Sequence, residues 1–274
     1  MVCLKQVPDT SEVRIDPKTN TLMREGVPSI INPYDAHALE EALALRDKVG
    51  GKVTVVSMGP AQAKESLKKA ISLGADEAIL LSDRAFAGSD TLATSYILAQ
   101  ALEKIREKEE IDVVLCGKQA IDGDTAQVGP GIARRMNMPQ LTYVIKVEWL
   151  KDGEIQVHRK LEEGKEIIKA KLPVLLTVEK ELNEIRYASL PNMLRAAKYE
   201  PVVWGADKFH LDPAEMGLKG SPTSVSRIFA PPGRTGGELI MAIDDPGSAA
   251  ISLVQKLFQQ NTIMVHPHAR GGRD

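Results

Sequence analysis

The stretch Gly117-Lys118-Gln119-Ala120-Ile121-Asp122-Gly123-Asp124-Thr125-Ala126-Gln127-Val128-Gly129-Pro130-Gly131 concentrates the residues best able to do chemistry. It follows a β-branched run and leads into the helical Ile132-Ala133-Arg134-Arg135-Met136, which is where an open α/β sheet takes its ligands. Gly123, Gly129 and Gly131 let backbone approach a ligand closely, Thr125 and Gln127 carry side-chain donors, and free amides at a helix start attract phosphate. A diphosphate suits this set. An ordinary glycine-rich turn from strand to helix explains it equally well on residue chemistry alone. The stretch matches neither G-x-G-x-x-G nor G-x-x-x-x-G-K-[ST], so dinucleotide dehydrogenases and nucleoside triphosphatases lose their usual warrant. Asp122 and Asp124 would repel phosphate. They are expected to order the loop by accepting amide hydrogen bonds, with a catalytic carboxylate pair as the minor alternative.

Three further stretches fall where a parallel sheet presents its carboxyl edge: Val7-Pro8-Asp9-Thr10, Ser57-Met58-Gly59-Pro60 and Asp83-Arg84-Ala85-Phe86-Ala87-Gly88-Ser89-Asp90-Thr91. Each alone reads as a plain loop, but four stretches converging on one edge can line a crevice. His37, His158, His210, His266 and His268 are scattered, and the close pair His266-Pro267-His268 lacks further ligands for a metal. No serine or cysteine sits in a nucleophile elbow. These residues describe a holder of a cofactor that brings its own chemistry.

The elements that would position this edge alternate in the first half of the chain. Strands are expected at residues 2–7, 52–57, 78–82 and 112–116, and sheet-covering helices at 35–49, 62–73 and 90–108, the last capped by Asp90. Residues 13–27 carry a turn at 16–20 between two short extended runs and read as a hairpin. After Pro139 the pattern becomes antiparallel, with strands at 141–149 and 155–161 around Asp152-Gly153, and residues 173–179 can return to the core. From Arg186 the periodicity fades into arms with linkers at 216–222 and 230–237, and only residues 246–260 regain a helical stripe, which needs a surface to bury it.

The whole sequence has 35 Lys plus Arg against 37 Asp plus Glu, which supplies no field to attract nucleic acid or anionic lipid. No apolar run approaches the roughly 20 residues of a spanning helix. Cys3 and Cys116, too few for a disulfide framework, read as buried thiols. The start of the chain carries no signal-peptide pattern, so a cytoplasmic location is expected.

The sequence resembles the beta subunit of electron transfer flavoproteins to about residue 260. The resemblance rests on Lys5-Gln6-Val7-Pro8-Asp9-Thr10, Asn32-Pro33, Ser57-Met58-Gly59-Pro60-Ala61-Gln62, the run from Gly117 to Pro130, and Arg186-Tyr187-Ala188-Ser189-Leu190-Pro191-Asn192. It implies an α/β, Rossmann-like (adenine nucleotide alpha hydrolase-like), mostly parallel sheet with an antiparallel extension and a C-terminal arm. The expected divisions are a nucleotide or flavin domain at 1–185, a partner-recognition loop and arm at 186–230, and a linker and helix packing on the partner subunit at 231–274. It also implies a heterodimer with an FAD-binding alpha subunit.

The AMP-binding members of that family carry a loop closer to Asp-Asp-Asp-Cys-Asn-Gln-Thr-Gly, whereas the stretches at 122–130, 83–94 and 217–225 look like the FAD-binding, electron-bifurcating members. In that type NADH would deliver a hydride to the flavin. One electron would pass to ferredoxin or flavodoxin, and the other through the alpha-subunit FAD to an acyl-CoA dehydrogenase or other flavin dehydrogenase. Carried over by resemblance, Asp122, Gly123, Asp124, Thr125, Ala126, Gln127 and Val128 would hold the diphosphate, with Gly117 also among the cofactor contacts. Cys3, Asn32, Asp35 and Met58 would hold the adenosine end, Asp90, Thr91 and Thr94 the isoalloxazine side, and Leu190 would anchor the partner. A plain carrier with structural AMP, and an ATP-binding module like those of stress proteins, are the competing readings.

Overall fold

The computed structural model describes residues 1–9, 14–15, 22–23, 28–149, 153–226, 237–243 and 245–260, with backbone alone at 14–15, 22–23 and 149. The chain begins with β1 (Val2–Cys3), β2 (Gln6–Pro8), β3 (Arg14–Ile15), β4 (Leu22–Met23) and β5 (Ser29–Ile31). Strands and helices then alternate through α1 (Pro33–Val49), β6 (Thr54–Met58), α2 (Lys64–Leu73), β7 (Glu77–Leu81), α3 (Thr91–Arg106), β8 (Val113–Gly117) and α4 (Val128–Arg135). A meander of β9 (Gln140–Trp149), β10 (Glu154–Lys160) and β11 (Lys165–Lys171) precedes β12 (Val174–Val178), α5 (Leu190–Lys198), β13 (Val202–Trp204) and α6 (Pro246–Gln259).

Nine strands form one sheet in the order β11-β10-β9-β12-β8-β1-β6-β7-β13. From β9 to β13 in that order the neighbours run parallel, while β10 is antiparallel to both β9 and β11. Period-two alternation sends Val55, Leu80, Leu115 and Leu176 to one face, under Leu39 and Leu43 of α1 and Leu67 and Ile71 of α2. Val56, Leu81, Val114 and Leu175 go to the other, under Ile97 and Leu102 of α3 and Ile132 of α4. Burial on both faces is why these strands read as continuous apolar runs.

The chain proceeds from β1 to β6 and β7 on one side, then crosses to β8 on the other. The order therefore reverses between β1 and β8, the switch point at which an open α/β sheet takes its ligands.

Three departures from the expected elements have physical causes. The strand expected at 2–7 leaves the parallel sheet after Leu4, because the Lys5 amide bonds to the Asp35 carboxylate at 2.7 Å and Gln6–Pro8 pairs antiparallel with Ser29–Ile31. The polar stretch after Arg186 is no featureless arm: it holds α5 and the edge strand β13, which pairs with β7. β11 was not expected, since its alternating Lys165, Lys169 and Lys171 give an edge strand little apolar signal.

The expected hairpin is borne out as the pair β3–β4, with Ile15 opposite Leu22; its turn at 16–20 lies outside the described residues, as do Asp152 and the tail 261–274. The chain divides into two compact units, Met1–Phe229 and Ala230–Asp274. In the second, Asp245 caps α6 by accepting from the Ser248 amide at 3.1 Å, and Lys256 pairs with Glu238. Among the described residues no helix is long and apolar enough to cross a membrane.

Candidate functional site

The start of α1 ties the two central strands together. Asp35, in the first turn, accepts from the Lys5 amide at the end of β1 (2.7 Å) and from the Gly117 amide at the end of β8 (3.0 Å). Burial pushes this carboxyl up to about 7, against the opposing effect of its hydrogen bonds from Lys5, Asn32 and Gly117. Asn32, fully buried before the helix, donates its side-chain amide to the Gln119 carbonyl (2.8 Å) and accepts from the Ile121 amide (3.2 Å), while its own N–H donates to the Lys5 carbonyl (2.9 Å). Asn32 and Asp35 thus face the loop backbone and fix its start; their polar atoms are occupied by the protein itself.

The loop that follows is held by side chains. Lys5 Nζ reaches both Asp122 carboxylate oxygens at 2.7 and 2.8 Å, and Gln119 donates to Asp124 at 2.6 Å. The aspartates do order the loop, but through these donors and not through the backbone amides expected from the sequence. An exposed pair of this kind adds at most about 1 kcal/mol, so its effect is on loop geometry.

Asp124 and Ala126 take positive φ values of 51° and 55°, and Gln127 follows at φ −98°, ψ −25°. Left-handed backbone at a non-glycine costs about 1–2 kcal/mol, and a left-handed residue followed by a right-handed one turns successive amides to one side. Among the described residues, the amides of Thr125, Ala126, Gln127, Val128 and Gly129 have no acceptor. That concavity at the start of α4, beside the Lys5 ammonium, fits an anionic diphosphate.

Two glycines do something else. Gly129 and Gly131 were expected to admit ligand, but a Cβ on Gly129 would lie 2.6 Å from Thr177 Cγ2, and one on Gly131 2.7 Å from the Ser95 side chain. They allow α4 to pack against β12 and α3. Gly117 also serves packing, against Tyr34 of α1, whereas Gly123 lies open in the loop.

The remaining site residues gather along the same edge. Thr91 Oγ1 donates to Gln127 Oε1 at 2.7 Å, which joins the start of α3 to the loop. Asp90 caps α3 through the Leu92 and Ala93 amides at 2.9 and 3.1 Å, and Thr94 lies half-buried one turn on. Met58, half-buried, ends β6, while Cys3 is a buried thiol opposite Cys116 on the face of α3 and α4.

Leu190 stands apart at the first position of α5, on the α2 side of the molecule, and is 69% exposed. Sequence reasoning missed Lys5 as a site residue. Its cationic side chain at the carboxyl end of a central strand was the available signal.

The fold and this edge define a doubly wound α/β protein with free loop amides at its switch point. A model of the Electron transfer flavoprotein domain matches residues 19–208. The Electron transfer flavoprotein subunit beta of Thermoanaerobacterium thermosaccharolyticum is 54% identical over 264 residues, 96% of this chain and 99% of that protein. Protein FixA of Azotobacter vinelandii is 53% identical over 266 residues, 95% of each chain, and the Caffeyl-CoA reductase-Etf complex subunit CarD of Acetobacterium woodii is 51% identical over 266 residues, 96% of this chain and 99% of its own. The chain belongs to the electron transfer flavoprotein family, as a beta subunit.

Proposed function

We propose that this beta subunit holds FAD in the crevice between β1 and β8, pairs with an alpha subunit that carries a second FAD, and works in an electron-bifurcating complex. The observation that supports the cofactor site most directly is the concave run of unpaired amides at 125–129 beside Lys5. Similarity to a subunit of a caffeyl-CoA reductase complex supports the wider assembly.

In this reading the diphosphate lies against the loop amides, with Gly117, Asp122, Gly123 and Asp124 shaping the loop and Thr125 to Val128 facing the ligand. Lys5 neutralises Asp122, which would otherwise repel the phosphates. Asn32 and Asp35 hold the adenosine end by fixing the backbone of the two strand ends, with Cys3 and Met58 forming its floor. Thr91 and Thr94 border the isoalloxazine, and Asp90 fixes the first turn of α3 that carries them.

Bound FAD supplies the conversion of a hydride from NADH into single electrons, one for ferredoxin or flavodoxin and one for a flavin dehydrogenase by way of the alpha subunit. The protein binds, orients and tunes. Mixing the purified complex with NADH, ferredoxin and the acceptor dehydrogenase tests this. Ferredoxin should be reduced only while the dehydrogenase has an oxidised acceptor; electrons reaching the dehydrogenase alone, with ferredoxin untouched, would leave a plain carrier.

A further inference from the structure

Residues 217–223 form a strap across the loop that precedes α3. The Gly217 amide donates to Ser89 Oγ (3.1 Å), the Ser221 hydroxyl donates to the Gly217 carbonyl (2.7 Å) with the Gly88 carbonyl 3.2 Å away, and the Asp90 amide donates to Ser221 Oγ (2.8 Å). The fit leaves no slack, because a Cβ on Gly217 would strike the Ala85 carbonyl and one on Gly88 would lie 3.2 Å from Leu218.

The Asp90 carboxylate is divided between two structures. Oδ1 accepts from the Leu92 and Ala93 amides of α3, and Oδ2 accepts from the amide and hydroxyl of Thr223 at 3.1 and 2.8 Å. Both oxygens are therefore committed. The adjacent Thr91 hydroxyl bonds Gln127 at 2.7 Å, in the loop whose amides stand free. A continuous polar path thus runs from Thr223 through Asp90, the first turn of α3 and Thr91 to Gln127. Beyond the strap the chain passes into the second compact unit.

We propose that Asp90 is a positioning residue and not a ligand: it couples the strap at 217–223 to the nucleotide loop, so that a nucleotide in the crevice tightens the strap from which the second unit departs. The inference rests on the proposed nucleotide site. A ligand that orders 122–127 fixes Gln127 and hence Thr91 and the cap of α3, and by thermodynamic reciprocity a tightened strap favours the bound nucleotide.

Amide hydrogen exchange on the heterodimer, stripped and then reloaded with FAD or with AMP, tests it. Loading should slow exchange at 217–226 in the native protein. Thr223→Val, which lies outside the crevice, should exchange about tenfold faster there, the size of one lost hydrogen bond to a charged group. It should also lose the response to loading while still retaining nucleotide.

A strap indifferent to loading in a native protein that retains nucleotide would overturn the coupling alone, as would a full response in Thr223→Val. Failure to retain either nucleotide would remove the site and the coupling together.

Discussion

Asp35 and Gly129 show how single residues set this edge. Asp35 titrates near 7 in the folded chain against an ordinary value of 3.8, burial being the dominant cause. Between those values the folded state holds the extra proton, so this group's contribution to stability is full below about pH 4 and is lost as pH rises through 7. Asp35→Asn can accept from only one of the two strand-end amides and should be less stable throughout. The gap in urea midpoint between native and variant should narrow from pH 4 to pH 7; a constant gap would show that Asp35 does not titrate in that window.

At Gly129 the overlap with Thr177 decides the outcome. Gly129→Val should lower stability by about 1–3 kcal/mol, the usual cost of overpacking, with any loss of nucleotide following the loss of fold. Full stability with lost nucleotide would return Gly129 to the ligand. The sequence placed a glycine there and could not show what it approached, since packing and ligand contact demand the same absence of a side chain.

Among the elements, the central parallel strands were legible because both faces are buried, whereas α5 was not, being short and exposed. Its signal was local: Ser189 caps it, with Pro191 in the first turn. Arg186 is bonded to Glu40 and Asp47 of α1, the shortest contact being 2.8 Å, and Arg195 donates to the Ile71 and Ala75 carbonyls at the end of α2. Between these two clamps Tyr187, Leu190, Met193 and Leu194 are exposed. A platform held at both ends loses little entropy on docking.

Because Leu190 is not packed under its own loop, Leu190→Ala should leave the melting temperature unchanged. Filling a partner pocket with one leucine contributes about 1.5–3 kcal/mol, so transfer to the acceptor dehydrogenase should weaken about tenfold to a hundredfold. Stopped-flow reduction of flavin by NADH should stay as in the native protein. Equal losses in both assays would remove Leu190 from the partner contacts. Arg186→Ala should speed proteolysis between residues 186 and 198, because buried Glu40 loses its counter-charge; unchanged cleavage would show that the clamp does not hold the platform.

At the scale of the molecule, composition and patterning conveyed an α/β chain with an antiparallel extension, and the motif resemblance conveyed its family. The strap's place against residues 85–90 was beyond reach, because its contacts there are long-range and leave no periodic trace. In the second unit Leu239, Met241, Ile243 and Ile251 are all exposed, as a segment awaiting a partner surface would be.

The proposed function stands or falls on whether the switch point between β1 and β8 holds a flavin. Acid release and quantification of the nucleotides from the purified heterodimer test it most directly. Two FAD and no AMP per heterodimer are expected; one FAD with one AMP would leave the same site with a structural nucleotide and the complex without its bifurcating centre.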